Sequence, residues 1–472
     1  LILYDFQWRL RDDLTRILTE EEQGWYKDCL KEMLSYMDDD LICHLDKMYA
    51  EYKIYALSLK YGYDIRKELK YRKGSLYFNN IKIYSLQAKS LFTADVLQIQ
   101  DGVLHLSGRI WCPFAEDLTI TIENDRGDCY EVQSKPAGFR KAVIFGEELV
   151  RVRGYEVELP LKGVKQFCVY GQYKDKYPQK LYIRVGKFSH LSQEVPELYY
   201  HEDGYMVSYD EEGERICVRK KHALPHLAKE LRLLLRCVRD QRYEIAGYRC
   251  LYHLVKPFLR KERWIVMERI NVAGDNAEHF FKFLQEHGGR DIKSYFTISE
   301  DSDDFEKMRR IGRVLPFRKF RHKLNVLLAK NIISSQGEDN IFNPWDKDSV
   351  YIRDLYKYHF VFLQHGIIKD DLSEWLNKFN KNLQMFVTSA KPEYESILRG
   401  DYFYDERVVR LTGLPRYDNL KQDIIPEKSI IFMPTWRFSL ACRLNNDTGE
   451  RIYNPLFKQS EFYCFYDRLI HG

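Results

Sequence analysis

The sequence predicts an α/β chain: a parallel, doubly wound sheet preceded by a β-sandwich and a set of N-terminal helices. Three patterns carry this expectation. From Trp264 onward, compact apolar runs alternate with amphipathic helical segments at short spacing, as strand–helix–strand units do. Between about 86 and 190, hydrophobicity alternates over short runs broken by turn residues, the pattern of a sandwich of roughly a hundred residues. Before about 85, apolar residues recur at helical spacing.

The chain of 472 residues exceeds what one core organises and predicts roughly three domains. Its 45% hydrophobic and 31% charged residues describe a globular balance rather than a disordered one. A net charge of +4 gives no global electrostatic case for nucleic acid, which is not expected among the partners. The ten cysteines stand singly, with no C-x-x-C pair and no His/Cys cluster at zinc-finger spacing. They read as reduced thiols, and neither a metal nor a cofactor is expected. Asp5, Arg9, Arg11, Asp12 and Asp13 interrupt any apolar run of the kind a signal peptide needs. No stretch approaches the ~20 apolar residues of a transmembrane helix, so membrane contact is expected to be peripheral. A start at Leu1 rather than Met points to a piece of a longer protein.

Residues 1–85 form the first expected unit, helical and short for an enzyme. Thr19, three residues before Glu22, makes a capping-box pattern ahead of Trp25, Leu30, Leu34 and Met37. Asp38, Asp39 and Asp40 fit the start of a second helix better than a metal site, because adjacent carboxylates diverge on a helix. The second unit, 86–190, holds the runs Val103–Ile110 and Leu118–Ile122, a turn at Asn124–Gly127, then Phe167–Tyr170 and Leu181–Val185. Substrate or partner binding and plain scaffolding are equally open for it.

The third unit, 191–263, is read as a linker with basic helices. Between 219 and 263, thirteen Lys or Arg face four Asp or Glu, a local charge of +9 in a chain totalling +4. Leu227, Leu231, Leu234, Leu235 and Val238 follow the spacing of one helical face, and Arg232, Arg236 and Arg239 form a stripe beside it. A second helical pattern comes next, in Tyr248, Leu251, Tyr252, Val255 and Leu259. A basic amphipathic helix suits an anionic membrane surface, where each Lys or Arg contributes ~1 kcal/mol. The same pattern suits a helix that packs its leucines onto its own protein and solvates its charges. RNA binding fits less well.

The fourth unit, 264–425, is the α/β lobe. Its expected strands are Trp264–Met267, Ser294–Ile298, Arg313–Phe317, Asn331–Ser335, Phe360–Leu363 and Phe386–Ser389, with helices at Asn276–Leu284, Asp304–Ile311, Leu324–Ala329 and Ala390–Arg399. In such sheets ligands bind beyond the carboxyl ends of the strands, so the residues just after each apolar run are the candidates for a site. Gln364, His365 and Gly366 come directly after Leu363. An imidazole there, with a glycine beside it for close approach, is placed for proton transfer near neutrality. A histidine that only bonds a turn is the alternative. Lys369, Asp370 and Asp371 suit either an anionic substrate or a solvated helix start. The stretch Leu411–Asp418 supplies a strand, a turn at Gly413, a fixed φ at Pro415, and Arg416, which can contact phosphate or bridge Asp418. The fifth unit, 426–472, opens with a strand at Ile430–Met433 that ends in Pro434, Thr435, Trp436 and Arg437, residues suited to an anion beside a stacking wall.

The ordered set LQHG (363–366), SAKPE (389–393), TGLPRYDNL (412–420) and MPTWR (433–437) resembles the CDP-glycerol glycerophosphotransferase family, the teichoic-acid and related capsule polymerases. That family typically reads W-H-G-T, G-x-P-R-x-D and P-T-W-R at the first, third and fourth of these places. The resemblance covers about 264 to 445, and the run AGDNAEHFF (273–281) looks like the opening of the family's first lobe. It implies a GT-B architecture: a first Rossmann-type lobe that receives the acceptor and meets the membrane, and a second that holds CDP-glycerol. By the same resemblance His365 matches the catalytic base. It would deprotonate a hydroxyl of a lipid-linked or polymeric acceptor, whose oxygen attacks the glycerol-bearing phosphorus and expels CMP. Substrate contacts are then expected from Gln364, Gly366, Lys369, Asp370, Arg416, Asp418, Thr435 and Arg437. The resemblance also favours membrane contact by Arg232, Arg236 and Arg239, at the cytoplasmic face of the cell membrane.

Leu363 and Gln364 replace the family's usual Thr-Trp before the histidine, and Ile367 and Ile368 replace Thr-Pro after the glycine, which bears on acceptor identity. The second lobe is expected to be cut short at Gly472. The N-terminal helices and β-region also resemble, faintly, the region after a family 2 glycosyltransferase domain in bifunctional wall-polymer enzymes. Two other readings stay open: a catalytically incomplete acceptor- or membrane-binding module, and a GT-B glycosyltransferase using a sugar nucleotide.

Overall fold

The computed structural model describes residues 18–44, 48–420, 441–444, 451–453 and 456–471. The capping box forms as expected. Thr19 N–H donates to Glu22 Oε2 at 2.7 Å and Glu22 N–H to Thr19 Oγ1 at 3.3 Å, starting α1 (Glu20–Ser35). Leu30 and Leu34 bury its inner face while Trp25 stays exposed. In α2 (Asp39–Cys43), Asp39 accepts from Lys60 Nζ at 2.8 Å and from the Tyr61 hydroxyl at 2.6 Å, both at the end of α3 (Ala50–Tyr61). The helical reading does not extend to 85, however. There β1 (Lys70–Arg72), β2 (Ser75–Phe78) and β3 (Ile81–Ser85) form an antiparallel sheet. Paired left-handed residues, Lys73 with Gly74 and Asn79 with Asn80, turn its two hairpins.

Two further sheets come next in the chain. One contains β4 (Phe92–Gln100), β5 (Val103–Ile110), β8 (Ser134–Ile144), β9 (Glu147–Pro160) and β12 (Ile183–Phe188), in the order β12-β4-β5-β9-β8. The other contains β6 (Leu118–Asn124), β7 (Cys129–Glu131), β10 (Gln166–Tyr173), β11 (Gln179–Lys180), β13 (Tyr199–Glu202), β14 (Tyr205–Asp210) and β15 (Arg215–Lys220). All pairings are antiparallel except β12 with β4. Leu104 and Leu106 of the first sheet share one apolar core with Ile120, Ile122, Phe167 and Val169 of the second. Strands β13 to β15 therefore extend the sheets into the stretch read as a linker.

Helices α4 (Ala223–Arg239) and α5 (Tyr243–Val255) lead into the lobe that carries the site. Its elements are β16 (Glu262–Met267), α6 (Asn276–His287), β17 (Ile292–Ile298), α7 (Phe305–Ile311), β18 (Val314–Pro316), α8 (Phe320–Leu328), β19 (Asn331–Ser334), α9 (Asp339–Phe342), β20 (His359–Phe362), α10 (Ser373–Leu376), α11 (Lys378–Lys381), β21 (Met385–Thr388), α12 (Lys391–Arg399) and β22 (Val409–Leu411). Every strand pairing is parallel, in the order β18-β17-β16-β19-β20-β21-β22. Strand alternation feeds a core on each face. Ile265, Met267, Ile332, Phe360 and Phe362 pack with Tyr248 and Tyr252 of α5 and Val326 and Leu327 of α8. Val266, Phe296, Ile298 and Ile333 pack with Ala277, Phe281 and Leu284 of α6.

A buried ion cluster fastens this lobe to the preceding part of the chain. Arg249 of α5 is fully buried and meets Glu230 of α4 at 2.7 Å and Asp354 at 2.6 Å. Tyr199 of β13 donates to the same Glu230 at 2.7 Å. Burial opposes charge on Glu230, but the Arg249 guanidinium wins and holds that carboxylate well below the ordinary range. Removing one partner leaves the others buried and uncompensated, a cost of roughly 3–5 kcal/mol. Arg249→Met is therefore expected to lower the unfolding free energy of the α/β lobe by that much, read from urea titration followed by tryptophan fluorescence. A change within experimental error would show the cluster to be dispensable.

Glu268, directly after β16, sets the start of α6. Its Oε1 accepts from Asp275 N–H at 3.0 Å and Glu278 N–H at 2.7 Å. Burial, reinforced by the Asp275 and Glu278 carboxylates, pushes its pKa up to about 7 against the pull of those donors. A raised folded-state pKa means that the folded protein binds the proton more tightly than the unfolded chain. Stability from this group is full below about 4.5 and is lost as pH rises through about 7. Glu268→Gln, which keeps Oε1, should match wild type in melting temperature at pH 5 and exceed it at pH 8. An identical difference at both pH values would remove this assignment.

Candidate active site

The winding of the sheet reverses between β16 and β19, and at such switch points the carboxyl-end loops open a crevice. One buried amide ties three of these loops together. Asn276, the first residue of α6, donates from Nδ2 to the Gln364 carbonyl at 2.6 Å, and its Oδ1 accepts from Arg416 N–H at 3.2 Å. The segments after β16, β20 and β22 are thereby fixed against one another.

Gln364 holds φ at 65°, a left-handed conformation that costs a non-glycine residue about 1–3 kcal/mol. Two bonds hold it there: the Asn276 amide on its carbonyl, and its own Nε2 on Glu393 Oε1 at 2.9 Å. Glu393, buried near the start of α12, also accepts from Ile368 N–H at 2.8 Å and, through Oε2, from Ser389 N–H at 2.9 Å. Both ends of the 364–368 turn thus hang on one carboxylate. Gln364 is a buried anchor of the turn rather than an exposed contact.

His365 emerges from that anchored turn with an exposed side chain. Its carbonyl accepts from an Arg416 guanidinium nitrogen at 2.9 Å, and the same nitrogen meets Asp275 Oδ1 at 2.6 Å. Arg416 therefore pairs with Asp275 and not with Asp418, which stands exposed. The turn that delivers Arg416 runs through Gly413, whose φ of 83° is adopted at least cost by a residue without a side chain. Thr412 and Gly413 both donate to the Thr388 carbonyl, at 3.0 and 3.1 Å. Gly366 is half-buried, and Lys369 and Asp370 are exposed beyond it. Asp371 instead accepts from Ser373 N–H at 2.8 Å at the start of α10. His279 of α6 meets the Asn419 side chain. Thr435, Trp436 and Arg437, with the strand expected at Ile430–Met433, lie outside the described residues.

The residues that sequence reasoning left without a role here are Glu268, Asp275, Asn276 and Glu393. Three of them lie inside the motifs AGDNAEHFF and SAKPE, so the signal was present but its physical meaning was not. What the arrangement offers chemically is an exposed imidazole on a fixed backbone, with a guanidinium beside it.

On the basic helix α4, the leucine stripe faces outward. Leu227, Leu231, Leu235 and Val238 are 64%, 56%, 61% and 49% exposed, while Glu230, Leu233 and Cys237 form the buried side. Arg232 and Arg239 are exposed beside the stripe. Arg236 pairs with Asp240 at 2.5 Å and Glu197 at 3.7 Å, so the stripe of three arginines reduces to two available charges. No helix among the described residues is long and apolar enough to cross a membrane.

Residues 250–458 match the family described as CDP-Glycerol:Poly(glycerophosphate) glycerophosphotransferase. The chain is 31% identical over 497 residues to the minor teichoic acid biosynthesis protein GgaB of Bacillus subtilis (strain 168), with 100% of this chain and 54% of that protein covered. It thus spans about half the length of that curated relative. Among solved structures, the wall teichoic acid polymerase TagF in a CDPG-soaked variant aligns at 12% identity over 46% of this chain and 59% of its own, with a TM-score of 0.31. S. aureus TarS aligns at 8% identity over 45% of this chain and 42% of its own, with a TM-score of 0.26. Through residues 250–458, the stretch that holds the His365 turn and its Asn276 and Glu393 anchors, the chain belongs to the CDP-glycerol:poly(glycerophosphate) glycerophosphotransferase family.

Proposed function

We propose that the chain forms the acceptor-side part of an enzyme that moves phosphoglycerol from CDP-glycerol to a hydroxyl of a lipid-linked or polymeric acceptor. The parallel lobe is read as the first lobe of a GT-B pair. The observation that carries this reading is the exposed His365 imidazole on a turn fixed by Asn276 and Glu393.

In this reading His365 takes the proton of the acceptor hydroxyl. The freed oxygen forms a bond to the glycerol-bearing phosphorus of CDP-glycerol, and the bond from that phosphorus to the cytidylyl oxygen breaks, releasing CMP. No metal or cofactor is assigned a role. Because phosphoryl transfer is governed by positioning and charge stabilisation, the anchors behind His365 matter as much as the ring. Arg416 acts first as a positioning residue, since its guanidinium clasps the His365 carbonyl and Asp275. Lys369 and Asp370, exposed beyond the turn, are offered as acceptor contacts.

Helix α4 is proposed to dock on an anionic membrane at the cytoplasmic face, with the outward leucine stripe entering the interface and Arg232 and Arg239 meeting lipid phosphates. An exposed apolar stripe flanked by guanidiniums complements such a surface in both area and charge.

His365→Ala is expected to lower CMP release from CDP-glycerol about 10²–10⁴-fold in the full-length protein, with its circular dichroism unchanged. Wild-type turnover in that variant would remove the base assignment, and UDP release from a UDP-sugar in place of CMP release would favour the sugar-nucleotide reading. For the membrane, Leu231→Asp with Leu235→Asp should abolish co-sedimentation with phosphatidylglycerol vesicles, since each buried leucine contributes about 1.5–3 kcal/mol. Undiminished sedimentation would leave α4 as an ordinary surface helix.

A further inference from the structure

A cavity of about 280 Å³ opens where the sheet of β4, β5, β8, β9 and β12 meets α11 of the parallel lobe. Two irregularities in the sheet shape it. On β4, Ala94 pairs with Gly108 and Val96 with Ser107, so Asp95 is an extra residue relative to β5. On the other flank Val185 pairs with Ala94 and Phe188 with Val96, which sets Gly186 and Lys187 opposite the single Asp95. Such bulges bend a strand and re-aim its side chains, and they recur next to functional sites. The approach at this point excludes any side chain on Gly186, because a Cβ there would lie 2.6 Å from Asp95 Cα.

The charge within the cavity is lopsided. Asp95, 2% exposed, grips Arg109 at two points, Nε to Oδ2 at 2.8 Å and NH2 to Oδ1 at 2.7 Å. Arg140 lies over the Trp111 ring at 4.5 Å, and the Trp111 N–H donates to Glu51 at 3.3 Å. The Arg184 side chain, from β12, makes no ion pair or hydrogen bond among the described residues. Lys187 completes the wall and pairs with Asp339 at 2.8 Å. Three guanidiniums therefore line the cavity with one carboxylate, which Arg109 already engages, while Glu51 lies behind Trp111. Partial burial, with Arg109 and Arg184 close by, pulls Arg140 below the ordinary arginine range against the opposing charge of Glu51. An anion placed among these groups relieves that repulsion, and planar guanidiniums match the paired oxygens of phosphate. The Trp111 face is covered by Arg140, which argues against a stacked nucleobase.

We propose that Arg109, Arg140 and Arg184 bind phosphodiester groups of a polyol phosphate chain, at a site sharing no residue with the His365 turn. That the chain is the growing acceptor rests on the transferase reading above; the preference for a phosphate-bearing ligand rests on the cavity. A site of this kind holds a polymer between additions by a segment remote from its reacting end.

The test is calorimetric titration with a synthetic six-unit glycerol phosphate oligomer, inorganic phosphate, an uncharged oligoglycerol of the same length, and phosphatidylglycerol vesicles. The oligomer should bind more tightly than inorganic phosphate, and the uncharged chain should not bind. Arg140→Ala with Arg184→Ala should weaken the oligomer at least tenfold, while Arg184→Lys, which keeps the charge but not the planar fork, should weaken it less than Arg184→Ala. Circular dichroism of the variants checks that they fold. Equal oligomer affinity in wild type and the double variant would overturn the proposal. So would vesicle binding lost in that variant while the free oligomer never binds, which would assign the cavity to a lipid headgroup. His365→Ala should bind the oligomer as wild type does. Oligomer binding at the arginines in a protein that releases no CMP would sustain the cavity and remove the transferase reading.

Discussion

The geometry of the site depends on a residue held where its backbone does not prefer to be. Gln364 is not glycine, yet it turns left-handed at the end of β20, and only such a turn carries His365 out of the sheet's carboxyl edge into solvent. Backbone strain of this kind persists when the surroundings over-determine it. Here the surroundings are Asn276 on the carbonyl and Glu393 on the side chain. Each of those residues also holds a second loop, Asn276 through Arg416 N–H and Glu393 through Ser389 N–H. The strain at Gln364 is thus spread over four segments at the carboxyl edge, and none of them relaxes without moving the others. On the proposed reading, a ring that takes a proton from an acceptor hydroxyl needs that kind of positional coupling.

A similar coupling operates at larger scale through Arg249. Its two carboxylate partners come from α4 and from the segment before β20, and Tyr199 of β13 shares one of them. This cluster explains which way α4 faces. Hydropathy marked Leu227, Leu231, Leu234, Leu235 and Val238 as one apolar face and left open whether it packs on the protein or meets a membrane. The helix buries Glu230, Leu233 and Cys237, because Glu230 must reach Arg249. Once that ion pair fixes the rotation of the helix, the leucines have nowhere to go but outward. The stripe is therefore a consequence of a buried charge, and it becomes a surface available for an interface.

The parallel lobe was legible in the sequence because both of its faces are covered. Strands buried on both sides read as compact apolar runs, and helices between them keep a clean period, so Trp264, Ser294, Asn331, Phe360 and Phe386 each fell inside the strand expected of them. The His365 turn was legible for a different reason, the rule that chemistry gathers at carboxyl ends. Its supports were not. Asn276 acts through its amide on the Gln364 carbonyl and Glu393 through its carboxylate on the Gln364 side chain, at separations of 88 and 29 residues, and no periodicity encodes that. The sheet at 70–85 was missed because its strands span only three to five residues, too short to break a helical pattern, with hairpin turns built from Lys-Gly and Asn-Asn. Strands β13 to β15 were missed because the basic run that overlaps them at 219 and 220 favoured a reading from charge over one from alternation.

The arginines divide by what they face, and that division orders the whole molecule. Arg249 and Arg416 are each clasped by carboxylates, and Arg109 is gripped by Asp95, so their charge is consumed in holding backbone and strands in place. Arg140 and Arg184 in the cavity, and Arg232 and Arg239 on α4, have no such carboxylate grip apart from a long 3.4 Å contact of Arg239 with Asp240. A guanidinium is always charged, and where several crowd together, as Arg140 does with Arg109 and Arg184, an arriving anion reduces their repulsion. The clasped arginines cannot serve an incoming anion without dismantling the fold, whereas the others can do so without any rearrangement. Among the described arginines, anion recognition is therefore expected at the cavity and the helix face, while Arg416 holds the His365 turn still.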